Sequence, residues 1–287
     1  MVSTAVRISI AGTVTLSITA SPFFFNKAQD CCATSGAAAV QPGRNPIKSG
    51  SFFGCIRGRS RLKTLSMNRI GIIDYGMGNL GSVSNACKFL GMDAEIVSAP
   101  GQMDSCRAVI LPGVGAFGDC MAHLTGHGFV SPIQKWIASG KPFMGICLGL
   151  QALFQTSEET PGVAGLGIFK GSVKRFLFGV GTAGPAVRGP LGERSLPLKI
   201  PQIGWNAVNQ KKPDCPMFAG VDDGAYFYFV HSFYVAPEDK SIVAGETGYG
   251  LNYCSAVWKD NVFAVQFHPE KSQAAGLQML KNFGAQK

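Results

Sequence analysis

The chain has 287 residues, 46% hydrophobic and 15% charged, a length for one large domain or one domain with an appendage and a composition too apolar for a disordered chain. Its net charge of +9 sits mostly in residues 1–66, where Arg7, Lys27, Arg44, Lys48, Arg57, Arg59, Arg61 and Lys63 face only Asp30 and give +7. Residues 67–287 keep only +2, so the globular part offers no electrostatic reason to expect nucleic acid as a partner.

Residues 1–66 are rich in Ser, Thr, Ala and Arg and contain no Glu, the composition of an organelle transit peptide, with a disordered leader as the alternative; the expected destination is the plastid (chloroplast) stroma. The apolar stretch 8–25 leaves a two-part signal open, and Met67 leaves open a start at that residue with a mitochondrial or cytoplasmic product. The expected organisation is therefore a leader over 1–66 and one domain over 67–287. No stretch approaches the roughly 18 apolar residues of a membrane span. Nine cysteines without a paired C-x-x-C frame fit a reducing compartment better than a disulfide scaffold.

From residue 67 the pattern alternates strand and helix. Residues 70–75 form a short apolar run ending at Gly76 and Gly78, a buried strand and its turn. Over 80–90, Leu80, Val83, Cys87 and Leu90 recur every three to four positions, one face of a helix. Strands are predicted over 94–97 and 108–111, the latter stopped by Pro112-Gly113-Val114-Gly115. A helix follows over 130–138, a buried strand over 142–146 and a helix over 148–154. Apolar runs without alternation, joined by helices, predict an α/β fold with a mostly parallel central sheet flanked on both faces. The second half is richer in strands, predicted over 167–176, 225–235, 242–245 and 255–267, before a last helix over 274–283. The Gly/Pro-rich segment 178–198 reads as a surface loop or insertion.

Gly145-Ile146-Cys147-Leu148-Gly149 joins a predicted buried strand to a helix. It has the form of a nucleophile elbow with cysteine in place of serine. The turn would hold Cys147 in a strained conformation, with glycines on either side so that sheet and helix can crowd it. At a helix N-terminus the dipole and free N–H groups favour a thiolate. The Leu148 backbone N–H could stabilise an oxyanion. A thiol nucleophile needs a base. His268 follows an apolar run, and Glu270 two residues on would share its face in extended chain and meet the imidazole. His231 has no acid near it in sequence and reads as a packed histidine or a substrate contact. His123 and His127 stand four apart with Gly126 between them and no carboxylate nearby, so no metal site is expected there. The Pro112–Gly115 loop can lend N–H groups to an anion, but it lacks the spacing of a nucleotide phosphate loop.

Residues 145–151 (GICLGLQ) with His268-Pro269-Glu270 resemble the class I glutamine amidotransferases. The stretches 74–80 (DYGMGNL), 112–117 (PGVGAF), 201–206 (PQIGWN), 228–234 (YFVHSFY) and 264–272 (AVQFHPEKS) narrow the resemblance to the glutaminase subunits of imidazole glycerol phosphate synthases, in a flavodoxin-like fold. The resemblance implies a Cys147–His268–Glu270 triad and oxyanion donors at Leu148, Val114 and Gly115. It implies glutamine contacts at Gly113, Gln151, His231, Ser232 and Phe233. It also implies no metal or other cofactor, and a (β/α)8 cyclase as partner; no barrel fits after residue 285, so that cyclase is expected as a separate chain, or else the sequence is truncated before a fused one. Alternatives are a glutaminase for a pyridoxal phosphate or anthranilate synthase, against which the segments around Trp205 and His231 argue, or a regulatory protein of the same fold, against which the intact triad argues.

Overall fold

The computed structural model describes residues 69–177 and 198–286. The expected leader and all but the last residue of the expected loop 178–198 lie outside the described residues. The first half runs β1 (Ile70–Ile73), α1 (Leu80–Phe89), β2 (Ala94–Val97), β3 (Ala108–Gly113), α2 (Phe117–Gly126), α3 (Val130–Ala138), β4 (Phe143–Cys147) and α4 (Leu148–Gln151). The second half adds β5 (Thr156–Ser157), β6 (Gly171–Arg175), β7 (Gln202–Ala207), β8 (Asn209–Gln210), β9 (Tyr226–His231), β10 (Phe233–Pro237), β11 (Val243–Gly248), β12 (Asn252–Lys259), β13 (Val262–Val265) and α5 (Gln273–Gly284).

Five strands in the order β2-β1-β3-β4-β13 are parallel, and β12, β10 and β6 extend the same sheet in antiparallel fashion. The parallel part is flavodoxin-like in order, so its ligand crevice belongs at the C-terminal strand ends. Side chains alternate across the sheet. Ile73, Val109, Leu111 and Phe143 pack with Phe117, Cys120 and Leu124 of α2 and Ile133 and Trp136 of α3. Ile70, Ile72, Ile110, Met144, Ile146 and Val265 point the other way, onto Val83 and Cys87 of α1 and Met279, Leu280 and Phe283 of α5. Both faces are covered, which is why β1, β3, β4 and β13 are buried along their whole length, while the edge strand β2 carries Glu95.

One polar residue sets the register that matters most. Asn261, in the turn before β13, donates from Nδ2 to the carbonyls of Ile137 (3.0 Å) and Lys141 (2.7 Å), while its own carbonyl accepts from Phe143 N–H at 2.9 Å. With the start of β4 tied to the start of β13, Phe143 pairs with Val262 and Ile146 with Val265.

Several predicted elements differ. The run 225–235 is two strands in different sheets: β9 pairs with β7 in a two-stranded ribbon, and β10 joins the main sheet. The run 255–267 is an antiparallel hairpin, β12 and β13, turned at Asp260 with φ of 51°. The predicted helix 148–154 stops at Gln151. Helix α2, which the sequence reading did not predict, buries Phe117, Cys120, Met121 and Leu124 despite glycines at 118 and 126.

Gly149 is the tightest joint between helix and sheet: a Cβ there would overlap the Leu111 carbonyl of β3. Overpacking against a backbone atom has no easy relief. Gly149→Ala is therefore expected to cost about 3 kcal/mol or more, at the upper end of overpacking penalties, read as a lower urea midpoint in equilibrium unfolding.

Candidate active site

Cys147 ends β4 with φ of 55° and ψ of −105°, a left-sided conformation that a residue with a Cβ adopts only under constraint. The constraint comes from both sides. A Cβ on Gly145 would come within 2.8 Å of the Gly149 carbonyl oxygen, so strand and helix already touch at the elbow. Cys147 is also in register with Gly113 of β3. Cys147 is 7% exposed and lines a cavity of about 360 Å³ with Val114, Gly115, Leu148, Gln151, Glu159, Pro201, residues 230–233 and His268. With only four helical residues after it, the elbow draws on nearby N–H groups more than on a long helix dipole.

His268 reaches the same cavity from the neighbouring strand. It lies beyond the end of β13, with its N–H donating to the Tyr228 carbonyl at 2.9 Å and its carbonyl accepting from Ser272 Oγ at 2.6 Å. Ser272 Oγ in turn accepts from Tyr228 N–H, so the loop is held to β9 at two points. Glu270 meets the imidazole as anticipated, Oε1 at 2.9 Å from Nδ1, but from a 3-10 turn over Pro269–Lys271 and not from extended chain. Nδ1 carries the proton in that contact, leaving Nε2 without a hydrogen-bond partner and Glu270 Oε2 likewise. Burial lowers the His268 pKa, but the Cys147 sulfur and the Glu270 carboxylate more than offset it and raise the value to about 9. A positive imidazolium between those two groups is thus favoured at neutral pH.

The remaining expected contacts sort into two groups. Val114, Gly115, Leu148, Gln151, His231, Ser232 and Phe233 line the cavity. Gly113 does not; it is buried behind the wall, where a Cβ would meet the Tyr75 hydroxyl at 2.7 Å and Leu148. His231 belongs to the wall through its packing. Its Nδ1 donates to the Phe233 carbonyl at 2.8 Å, and its Nε2 lies 3.1 Å from the Tyr253 hydroxyl, which also meets the Gln202 side chain. Desolvation pulls its pKa down to about 4, so the ring is neutral. His123 and His127 bond to the carbonyls of Tyr75 and His123 in turn, and no group of metal-ligating side chains occurs among the described residues.

Three cavity residues were missed. Glu159, the only carboxylate among the described residues of the lining, accepts from the Phe117 N–H at the start of α2. Pro201, just before β7, and Val230 of β9 add one end of the β7–β9 ribbon to the cavity lining. Glu159 sits in a polar loop with no motif of its own.

The match to the family model for glutamine amidotransferase class-I runs over residues 71–287, from the first strand through the whole site. The chain belongs to this family. Among curated relatives, the imidazole glycerol phosphate synthase subunit HisH of Syntrophotalea carbinolica is 50% identical over 213 residues, covering 74% of this chain and 98% of that protein. The subunit of the same name from Geobacter sulfurreducens is 46% identical, covering 77% of this chain and 100% of its own length. A solved glutamine amidotransferase superposes with a TM-score of 0.56 at 18% identity, over 75% of this chain and 99% of that one. PurLQS from Thermotoga maritima superposes equally well at 20% identity, over 75% and 96%. These two show the fold of the amidotransferase.

Two buried histidines of the amidotransferase, His231 and His268, give its stability a signed pH dependence. A histidine depressed from 6.5 to about 4 stabilises fully above 6.5 and loses that contribution as pH falls toward 4. His268, raised to about 9, contributes fully below 6.5 and loses its share as pH rises through 9, so it adds no slope on the acid side. Unfolding free energy is expected to drop by about 2 kcal/mol from pH 7 to 4.5 through His231. His231→Gln should flatten that decline in urea unfolding; an unchanged slope would show that the proton uptake occurs elsewhere.

Proposed function

We propose that this amidotransferase is the glutaminase subunit of an imidazole glycerol phosphate synthase, hydrolysing glutamine and passing ammonia to a separate (β/α)8 cyclase in histidine biosynthesis. The observation that carries the chemistry is the strained Cys147 elbow opening on one cavity with the His268–Glu270 pair. The Cys147 sulfur attacks the side-chain carbonyl carbon of glutamine. The carbonyl π electrons move to oxygen, and the resulting oxyanion is met by the Leu148 N–H and the Val114–Gly115 loop. His268 hands its proton to the departing nitrogen, and the C–N bond breaks to leave a glutamyl thioester. The neutral imidazole then takes a proton from water, whose oxygen attacks the thioester and releases glutamate. Glu270 keeps the ring oriented and favours its protonated form throughout.

The cavity chemistry supports an amino-acid substrate. Glu159 offers one negative charge for an α-ammonium, and Gln151 lines the same cavity. The expected roles of Ser232 and Phe233 as backbone contacts fit their place in the wall, while the His231 ring is spent on Phe233 and Tyr253 and acts through them.

A partner is supported by the outer face of the β7–β9 ribbon. Register places Ile203, Trp205, Tyr226, Tyr228 and Val230 on one side, and Ile203 and Tyr226 are 62% and 63% exposed. That apolar face adjoins the cavity through Val230. Direct transfer makes chemical sense, because ammonia released to neutral water becomes non-nucleophilic ammonium. The curated relatives named above are called subunits of such a synthase. The composition of residues 1–66 supports a cleaved plastid leader ahead of a domain over 67–287. No helix among the described residues is long and apolar enough to cross a membrane.

One glutaminase assay tests the main reading. Cys147→Ala should lower turnover by roughly 10⁴-fold or more with an unchanged melting curve, and ammonia release at the parent rate would refute the mechanism. Glu159→Gln should raise KM about tenfold or more, as loss of a charged hydrogen bond does. Adding a barrel cyclase with its ligand should raise turnover of the parent; indifference to every such cyclase counts against the partner. Separately, residues 1–66 fused to a fluorescent protein should direct it to plastids in plant cells, and a diffuse cytosolic signal would remove the leader assignment.

A further inference from the structure

We propose that Gln266 is a positioning residue for the nucleophile, its side-chain amide holding the Cys147 sulfur at one end and the Gln151 side chain at the other. The inference rests on Cys147 being the nucleophile. Gln266 is the first residue beyond β13 and is fully buried. Its own N–H donates to the Ser255 carbonyl at 2.9 Å, which fixes its backbone to β12. From the side chain, Nε2 donates to Cys147 Sγ at 3.6 Å and Oε1 accepts from Gln151 Nε2 at 3.1 Å. Gln151 Nε2 also donates to the Phe233 carbonyl at 3.1 Å, the same oxygen that His231 Nδ1 engages.

A primary amide has two N–H donors and one carbonyl acceptor. Both donors of Gln151 are spent inside the protein, so only its carbonyl oxygen remains to face the cavity. That choice also commits Gln266. Turning its amide over would set oxygen against sulfur and NH2 against NH2, two repulsive contacts at once. The donor aimed at Cys147 is therefore held by a chain of partners anchored on the Phe233 carbonyl. A buried amide between apolar neighbours is costly unless its partners satisfy it, so packing alone gives no reason for glutamine at 266. Its N–H stabilises negative charge on the sulfur, as donors to charged acceptors do. Its oxygen keeps Gln151 in the orientation that meets substrate.

The two roles separate in two variants of the full chain, assayed with its synthase partner for kcat and KM, and for the rate of iodoacetamide alkylation at Cys147 against pH by mass spectrometry. Gln266→Met loses both contacts. Its alkylation midpoint should move up by about one pH unit, and kcat should fall about tenfold, the size expected for one charge-assisted hydrogen bond, with KM raised as well. Gln266→Glu keeps an acceptor for Gln151 but loses the donor to sulfur. Its midpoint should rise at least as far while KM stays within about twofold of the parent, as expected when the contact to Gln151 survives. A midpoint unchanged in either variant overturns the role at the sulfur, whatever happens to kcat. A KM raised equally in both overturns the role at Gln151. If Gln266→Met does not fold, the midpoint and KM of Gln266→Glu decide alone. Glutaminase turnover persisting in Cys147→Ala would instead remove the nucleophile reading, an outcome distinct from an unmoved midpoint.

Discussion

The site depends on the parallel pairing of β4 with β13. Both strands point their C-terminal ends the same way, and the Asn261 clamp fixes their register, so Cys147 and Gln266, 119 positions apart in sequence, meet across the top of the sheet. His268 follows two residues later, on a loop bonded to β9. Without that register the elbow would hold a strained thiol with no base beside it. The antiparallel extension contributes the opposite wall, because β12 pairs with β13 on one edge and with β10 on the other.

Strain and crowding at Cys147 are two sides of one arrangement. A positive φ on a residue with a Cβ costs on the order of 1–3 kcal/mol, and it persists because Gly145, Gly149 and Leu111 leave the backbone no other path. The same crowding lifts the side chain out of the sheet and into the cavity. Around it the charges are few and paired: Glu270 on His268, Glu159 on the first turn of α2. His231, stripped of charge by burial, supplies rigidity to the wall instead.

The parallel half of the fold was legible in the sequence because β1, β3, β4 and β13 are buried on both faces and the strands there are set off by turn or helix signals. The elbow and the His268-Pro269-Glu270 run were legible for a different reason: their chemistry is local, written within a few residues. What escaped was whatever depends on neighbours distant in sequence. The aromatic run 225–235 shows no break in composition, yet the chain passes from ribbon to main sheet at Ser232. Glu159 and Gln266 are ordinary residues until folding brings one to the cavity and the other to the sulfur. Helix α2 buries an apolar face of Phe117, Cys120, Met121 and Leu124, but glycines at 118 and 126 weaken its intrinsic helical signal.

The alternation along β9 has a consequence for substitutions. Phe227, Phe229 and His231 face inward, where each is locked among aromatic rings, while Tyr226, Tyr228 and Val230 face outward with Ile203 and Trp205. Successive positions of one short strand are thus held by different structural constraints. Substitutions at Tyr226, Ile203 and Trp205 would change the face offered to a neighbour and leave the inner set in place, whereas Val230 also lines the cavity and ties the two faces together.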